Sequence, residues 1–231
     1  MNPNPKIFLI VYGISFFLSF FVMVPVGISV ADFNGYCLLY AKGNFTLNSD
    51  SSQFSSTFHL IDWGPSGVCN FILYMGITIL VFSTVLVWRT GLLVWKGHDR
   101  SPFTSFVIFV SNGVIMFMTF VAAVMNLVGY DNWCGALNQV ASNVTCDKSD
   151  LTNLDERFNI HTERFQDNFS ATQFGLWGCF CTWLLGTIFA FFKVYYYHKH
   201  DDLLQSLAFE KETLLNRRFR YQQVDSTNDL S

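Results

Sequence analysis

Four apolar blocks limit what this chain can fold into: Ile7–Val30, Phe71–Val94, Phe103–Val128 and Phe174–Tyr197, none with an acidic or basic residue near its centre. Each supplies the roughly 20 residues that a helix needs to cross about 30 Å of hydrocarbon. In lipid, only a helix or a closed barrel satisfies its own backbone. Core helices of a soluble protein keep a polar face; these blocks do not. Arg89 and Lys193 fall toward block ends, where a long stem reaches the headgroups. Composition agrees, since 13% of the 231 residues are charged and 26 are phenylalanine, against about 25% charged in an ordinary soluble domain. The expected fold class is an all-α membrane protein. Residues 1–197 form a four-transmembrane-helix bundle with outer loops 31–68 and 129–172, and residues 198–231 form a tail.

The first block has some marks of a secretory signal, with Lys6 before it and Ser29-Val30-Ala31 as a small-residue cleavage site. Its apolar run exceeds the about 7–15 residues of a signal core. A retained helix is the preferred reading, and cleavage would leave the sidedness of the rest unchanged.

Two patterns orient the chain. Asn-x-Ser/Thr sequons begin at Asn44, Asn143 and Asn168, all within the two long loops, so all three are candidate glycosylation sites. Ten of the fourteen Lys and Arg residues lie at the N-terminus, between Arg89 and Arg100 or from Lys193 onward, leaving Lys42, Lys148, Arg157 and Arg164 in the long loops. Positive charge near spans marks the cytoplasmic side, so both termini are expected inside, in the plasma membrane or endosomal system. The outer loops carry ten Asp and Glu against those four basic residues, a surface that favours cationic partners or is simply solvated.

Four cysteines, Cys37, Cys69, Cys134 and Cys146, sit in or at the edge of the outer loops. In an oxidising compartment they read as two disulfides, with three connectivities open to the sequence. Cys37–Cys69 with Cys134–Cys146 is preferred because each loop is then closed locally. Zinc is disfavoured, since no Cys-x-x-Cys pair or adjacent histidine occurs among them. Tyr36–Tyr40 and Phe54–Ile61 are strand-like, with turn residues at Asn48–Ser52. A small stapled antiparallel sheet on the helix ends follows, and Thr162–Gln166 is expected as a short helix.

Residues 175–181 read GLWGCFC. Two residues on a helix turn through about 200°, so Cys179 and Cys181 face different ways and form neither a chelate nor a bridge. Through the same stretch Gly175, Cys179, Thr182 and Gly186 make a stripe of small residues, while Asn112, Thr119 and Asn126 repeat every heptad in the third block. Small stripes let membrane helices approach closely, and such polar groups hydrogen-bond between helices. A solute path is the other use of a polar stripe, but no block offers an Asp, Glu, Lys or Arg near its centre to couple an ion or proton.

After the fourth block, Tyr195-Tyr196-Tyr197 suits an interfacial aromatic belt. Leu203, Leu204, Leu207, Leu214 and Leu215 then form a helical stripe, read as an amphipathic helix on the inner leaflet or on a partner. Arg217, Arg218 and Arg220 suit anionic lipid. Glu210 with Leu214 and Leu215 matches the acidic dileucine pattern that clathrin adaptors bind. No nucleophile–base pair, metal cluster or phosphate-cradling glycine loop occurs, and His59, His98 and His161 are scattered. No enzyme activity or cofactor is expected, and no extended basic patch suits nucleic acid.

DFNGYCLLY (32–40), DWGPSGVCNF (62–71), WRT (88–90), KGHD with the following Ser-Pro-Phe (96–103), NWC (132–134), ATQFGLW (171–177), FFKVY (191–195) and DDLLQSLAFEKETLL (201–215) occur in this order. On these strings the chain resembles the transmembrane protein 179 family nearly end to end. The resemblance implies four spans in a claudin-like layout: a larger first outer loop with a small sheet, and both termini inside. That plan includes junction proteins and auxiliary subunits of channels and receptors. Paracellular strand formation is not implied, since no Gly-Leu-Trp lies between Cys37 and Cys69. The expected role is a non-catalytic partner of another integral membrane protein and of membrane lipid. A small channel or transporter is the alternative.

Overall fold

The structure, a computed structural model, describes residues 5–48, 55–96, 102–138 and 165–228. In chain order these form α1 (Pro5–Asp32), β1 (Cys37–Asn48), β2 (Ser55–Gly64), α2 (Ser66–Lys96), α3 (Pro102–Asn138) and α4 (Phe165–Asn228). Among the described residues, four helices are long and apolar enough to cross a membrane.

The helices pack as a series, α2 on α1, α1 on α4 and α4 on α3, with only slight contact between α2 and α3. The sequence of α1 explains its central place. Phe8, Tyr12, Ser15, Ser19, Val22 and Val26 are buried, spaced alternately four and three, the repeat that keeps one seam against neighbouring helices. Outward faces are large and apolar: Phe17 is 68% exposed, Trp88 72% and Phe117 61%. In water such a surface would aggregate; in lipid it is the solvent-facing side.

α1 ends on a Schellman motif. The Gly35 amide donates to the Val30 carbonyl at 2.8 Å and the Asn34 amide to Ala31 at 3.1 Å. Asn34 (φ 51°) and Gly35 (φ 85°) take the left-handed conformations that such a cap requires. The chain thereby reverses straight into β1, which pairs antiparallel with β2. Register shifts between Cys37 and Lys42 mark a bulge, and Tyr40 within it has φ 67°.

Several expected boundaries move. The strands are longer than Tyr36–Tyr40 and Phe54–Ile61, and most of the expected turn at Asn48–Ser52 lies outside the described residues. The non-helical connection between the third and fourth helices is shorter than 129–172, because α3 continues to Asn138 and α4 has begun by Phe165. Aromatic packing holds these extra turns. Phe169 stacks on Tyr130 at 3.8 Å, and Phe165 meets Phe33 at 5.7 Å. Of the short helix expected at Thr162–Gln166, Phe165 and Gln166 are the first residues of α4 and the rest lie outside the described residues. The tail is helical as expected and continues the fourth span. α4 is one helix of 64 residues, and no Gly or Pro after Gly186 breaks it. Lying flat on the membrane would need such a break beyond Tyr197.

Candidate functional site

Two features stand out: a cap stapled over one end of the bundle, and a seam of neutral polar side chains beneath it. Among the described residues, several contacts fix the cap. A disulfide joins Cys37, at the start of β1, to Cys69 in the first turns of α2, with the Cα atoms 5.8 Å apart. The Tyr40 hydroxyl donates to the Met125 carbonyl of α3 at 3.2 Å. Leu38 and Leu39 are buried.

Glycines permit the close fit. A Cβ on Gly129 would lie 2.8 Å from the Tyr40 ring, and one on Gly64 would collide with the Leu39 carbonyl oxygen. Cys134 is also disulfide-bonded. It sits in the last turns of α3 rather than in a loop. Its expected partner Cys146 lies outside the described residues, as does the sequon residue Asn143. Asn44 lies in β1, paired in register with His59, and Asn168 lies in the first turns of α4.

The seam runs down the bundle. Asn126 donates to the Gln173 side-chain oxygen at 2.7 Å, tying α3 to α4. Ser83 donates to Ser15 at 3.2 Å, tying α2 to α1. Asn112 donates to the Tyr12 hydroxyl at 2.8 Å, tying α3 to α1. Such bonds between membrane helices contribute about 0.6 kcal/mol each on average, up to about 1.7. Thr119 is fully buried but bonds its own Ile115 carbonyl at 2.7 Å, so it packs without bridging.

Asn112 and Asn126 thus do what their heptad spacing predicts. Their partners Tyr12 and Gln173, and the Ser15–Ser83 pair, lay outside the sequence prediction. A signal existed, for Tyr12, Ser15 and Ser19 interrupt the first apolar block at intervals of three and four. Among the described residues, Asn112 Oδ1, Gln173 Nε2 and Trp183 Nε1 are buried without a hydrogen-bond partner.

The small stripe on α4 meets α1 more than α3. A Cβ on Gly175 would lie 2.8 Å from Val22 and 3.0 Å from the Phe21 backbone. Gly178, outside the predicted stripe, fits against Leu18. Gly186 faces Tyr12 and Val11 of α1 as well as Asn112 of α3. Cys179 is fully buried, and Thr182 bonds the Cys179 carbonyl at 2.9 Å. Pro25 lies in α1 four residues after Phe21. It has no N–H to offer the Phe21 carbonyl, so α4 approaches most closely where the α1 ladder is open. α2 meets α1 the same way, with a Gly76 Cβ falling 3.2 Å from the Met23 nitrogen.

Cys179 and Cys181 are both free, one buried and one exposed, as their opposed faces require. Lys193 does not simply reach outward, since its ammonium lies 5.9 Å from the ring centroids of both Phe8 and Tyr197. Among the described residues, no group of three or more His, Cys, Asp or Glu side chains is placed to hold a metal ion.

Four spans and a small sheet are the architecture the sequence strings imply, and the staple between the first strand and the second span is the locally closing pair. The profile described as Transmembrane protein 179/179B Claudin domain matches residues 7–215. The chain belongs to the transmembrane protein 179/179B family. Transmembrane protein 179B of Danio rerio is 26% identical over 187 residues, which cover 79% of this chain and 81% of that protein. No solved structure matches. As a member of this claudin-like family the chain is a multi-pass integral membrane protein. The matched region ends at Leu215, so the transmembrane protein 179/179B domain takes in the tail helix as far as Glu210, Leu214 and Leu215.

Proposed function

We propose that this protein is a non-catalytic auxiliary or scaffolding subunit that works by holding another integral membrane protein. The observation that carries this reading is the character of the bundle interior. Every buried polar residue among those described is neutral (Ser, Thr or Asn), and the seam spends its hydrogen bonds on joining helices. Charged residues within a membrane mark ion and proton paths, and the seam supplies none. The working surfaces would be the stapled cap, the broad apolar faces and the seam where α2 and α3 barely touch. There a partner's helix could add without displacing existing packing.

The cap and the segment between α3 and α4 face outward in this reading, with both termini cytoplasmic. The sequons at Asn44 and Asn143 and the basic residues near the inner span ends support that sidedness. The expected home is the plasma membrane or the endosomal system.

Purification from native membranes after cross-linking tests the role. Recovery with a larger membrane protein is the expected result. Solute flux through liposomes containing this chain alone would replace the reading with a channel or transporter.

The tail would recruit clathrin adaptors through Glu210, Leu214 and Leu215. Leu214 is 65% exposed and lies one helical turn from Glu210, so both fall on one face. Leu214→Ala combined with Leu215→Ala is then expected to raise the surface fraction in a biotin-labelling assay. An unchanged fraction removes adaptors from the list of partners.

A further inference from the structure

The sequon at Asn168 carries an inference separate from the proposed role. Its side-chain nitrogen is the atom to which an N-linked glycan attaches. In the structure that nitrogen is half-buried and donates to Ser29 Oγ of α1 at 3.3 Å. Ser29 in turn donates to the Pro25 carbonyl at 2.9 Å.

Asn168 and Ser29 line a cavity of about 30 Å³ with Asn126 and Thr172. That is room for one or two waters in a cleft that is partly open, so a sugar ring does not fit between Asn168 and Ser29 while the two stay bonded. The backbone is held as firmly. Thr172 Oγ1 donates to the Asn168 carbonyl at 2.7 Å, and the next residue, Phe169, lies flat on Tyr130.

We propose that Asn168 is a latch between α1 and α4 and stays unmodified in the assembled bundle, so that glycan transfer and closure of this end exclude one another. Transfer would replace one hydrogen of Nδ2 by the anomeric carbon of a diphosphate-activated oligosaccharide, with the diphosphate leaving and the proton released. The product nitrogen would carry a bulky polar group into the joint. A chain that received it could not seat the first turns of α4 on Ser29.

Two measurements decide the matter. Purified full-length protein is deglycosylated enzymatically in heavy-oxygen water, and the peptide containing residue 168 is read by mass spectrometry. Asn168 is expected back as unlabelled asparagine, and Asn168→Gln should cause no mobility shift on a gel. Heavy-oxygen aspartate at 168 in the folded membrane fraction overturns the proposal.

Independently, Ser29→Cys with Asn168→Cys, in a Cys181→Ser background, should join α1 to α4 on mild oxidation. Asp167→Cys in place of Asn168→Cys should not. Failure of the 29–168 pair to join overturns the latch whichever way the loop faces. Absence of glycan at both Asn44 and Asn143 would count against the sidedness proposed above, leaving the cross-link to judge the latch.

Discussion

Gly175→Leu is expected to push α4 off α1 and to lower the melting temperature of the detergent-purified protein, while Gly113→Leu leaves it nearly unchanged. Both glycines lie mid-helix in apolar blocks, and composition does not tell them apart. The difference is in what a Cβ would meet. At Gly175 it falls 2.8 Å from Val22 Cγ2 and 3.0 Å from the Phe21 backbone, whereas at Gly113 nothing lies within 4 Å. Overpacking of this kind costs about 1–3 kcal/mol. A leucine meeting backbone belongs at the upper end, since backbone cannot rotate away as a side chain can. For a chain of this size that corresponds to a fall of roughly 6–12 °C. The reverse order of the two melting temperatures would mean that α1 and α4 do not cross at this residue.

The second large effect is expected from opening the staple. Cys37→Ser, Cys69→Ser and the double variant should each lose about 3–4 kcal/mol on a chain-entropy account of a loop of this length. The double variant should be no worse than either single one, because the bridge is lost once. Melting under non-reducing conditions checks this, and additive losses would show that the two thiols contribute separately. The sheet is the element at risk. Among the described residues it has two strands, and an isolated two-stranded hairpin is marginal at best in water. Its attachments to the bundle are the staple, the buried Leu38 and Leu39, and the Tyr40 hydroxyl on Met125.

Some of this was legible in the residues and some was not, for physical reasons. Membrane spans announce themselves because every lipid-facing position must be apolar, so the four blocks were plain to read. Neutral polar residues within them were equally visible, and Asn112 and Asn126 do bridge helices. Their partners were harder to see. Tyr12 reads as one more aromatic in a block full of phenylalanine, and Gln173 stands where an interfacial residue is unremarked.

The same limit applied to the small stripe. Periodicity identified the face around Gly175 but could not say whether α1 or α3 lies against it. That depends on the order of the helices around the bundle, which short-range pattern does not encode. Helix ends failed in a consistent direction. Asp131, Asn132, Asp167 and Asn168 look like loop residues, yet they lie within α3 and α4. Trp133 is 3% exposed and Phe169 is stacked on Tyr130, so burial of intervening aromatics outweighs local polarity. Sequons drew attention to Asn168 as a surface residue for the same reason, whereas its amide turns toward Ser29.

The unbroken length of α4 has a mechanical consequence. From His200 to Asn228 it extends about 43 Å past its apolar stretch, at 1.5 Å of rise per residue. A rod of this kind pivots about the point where it is gripped, and α4 is gripped along α1 from Gly175 to Gly186. Leaning it by some 10° about Gly186, roughly 63 Å from the far tip, would carry that tip sideways by about 11 Å. A small rearrangement beneath the cap would therefore arrive at the opposite end of the molecule as a displacement large enough for a bound protein to register.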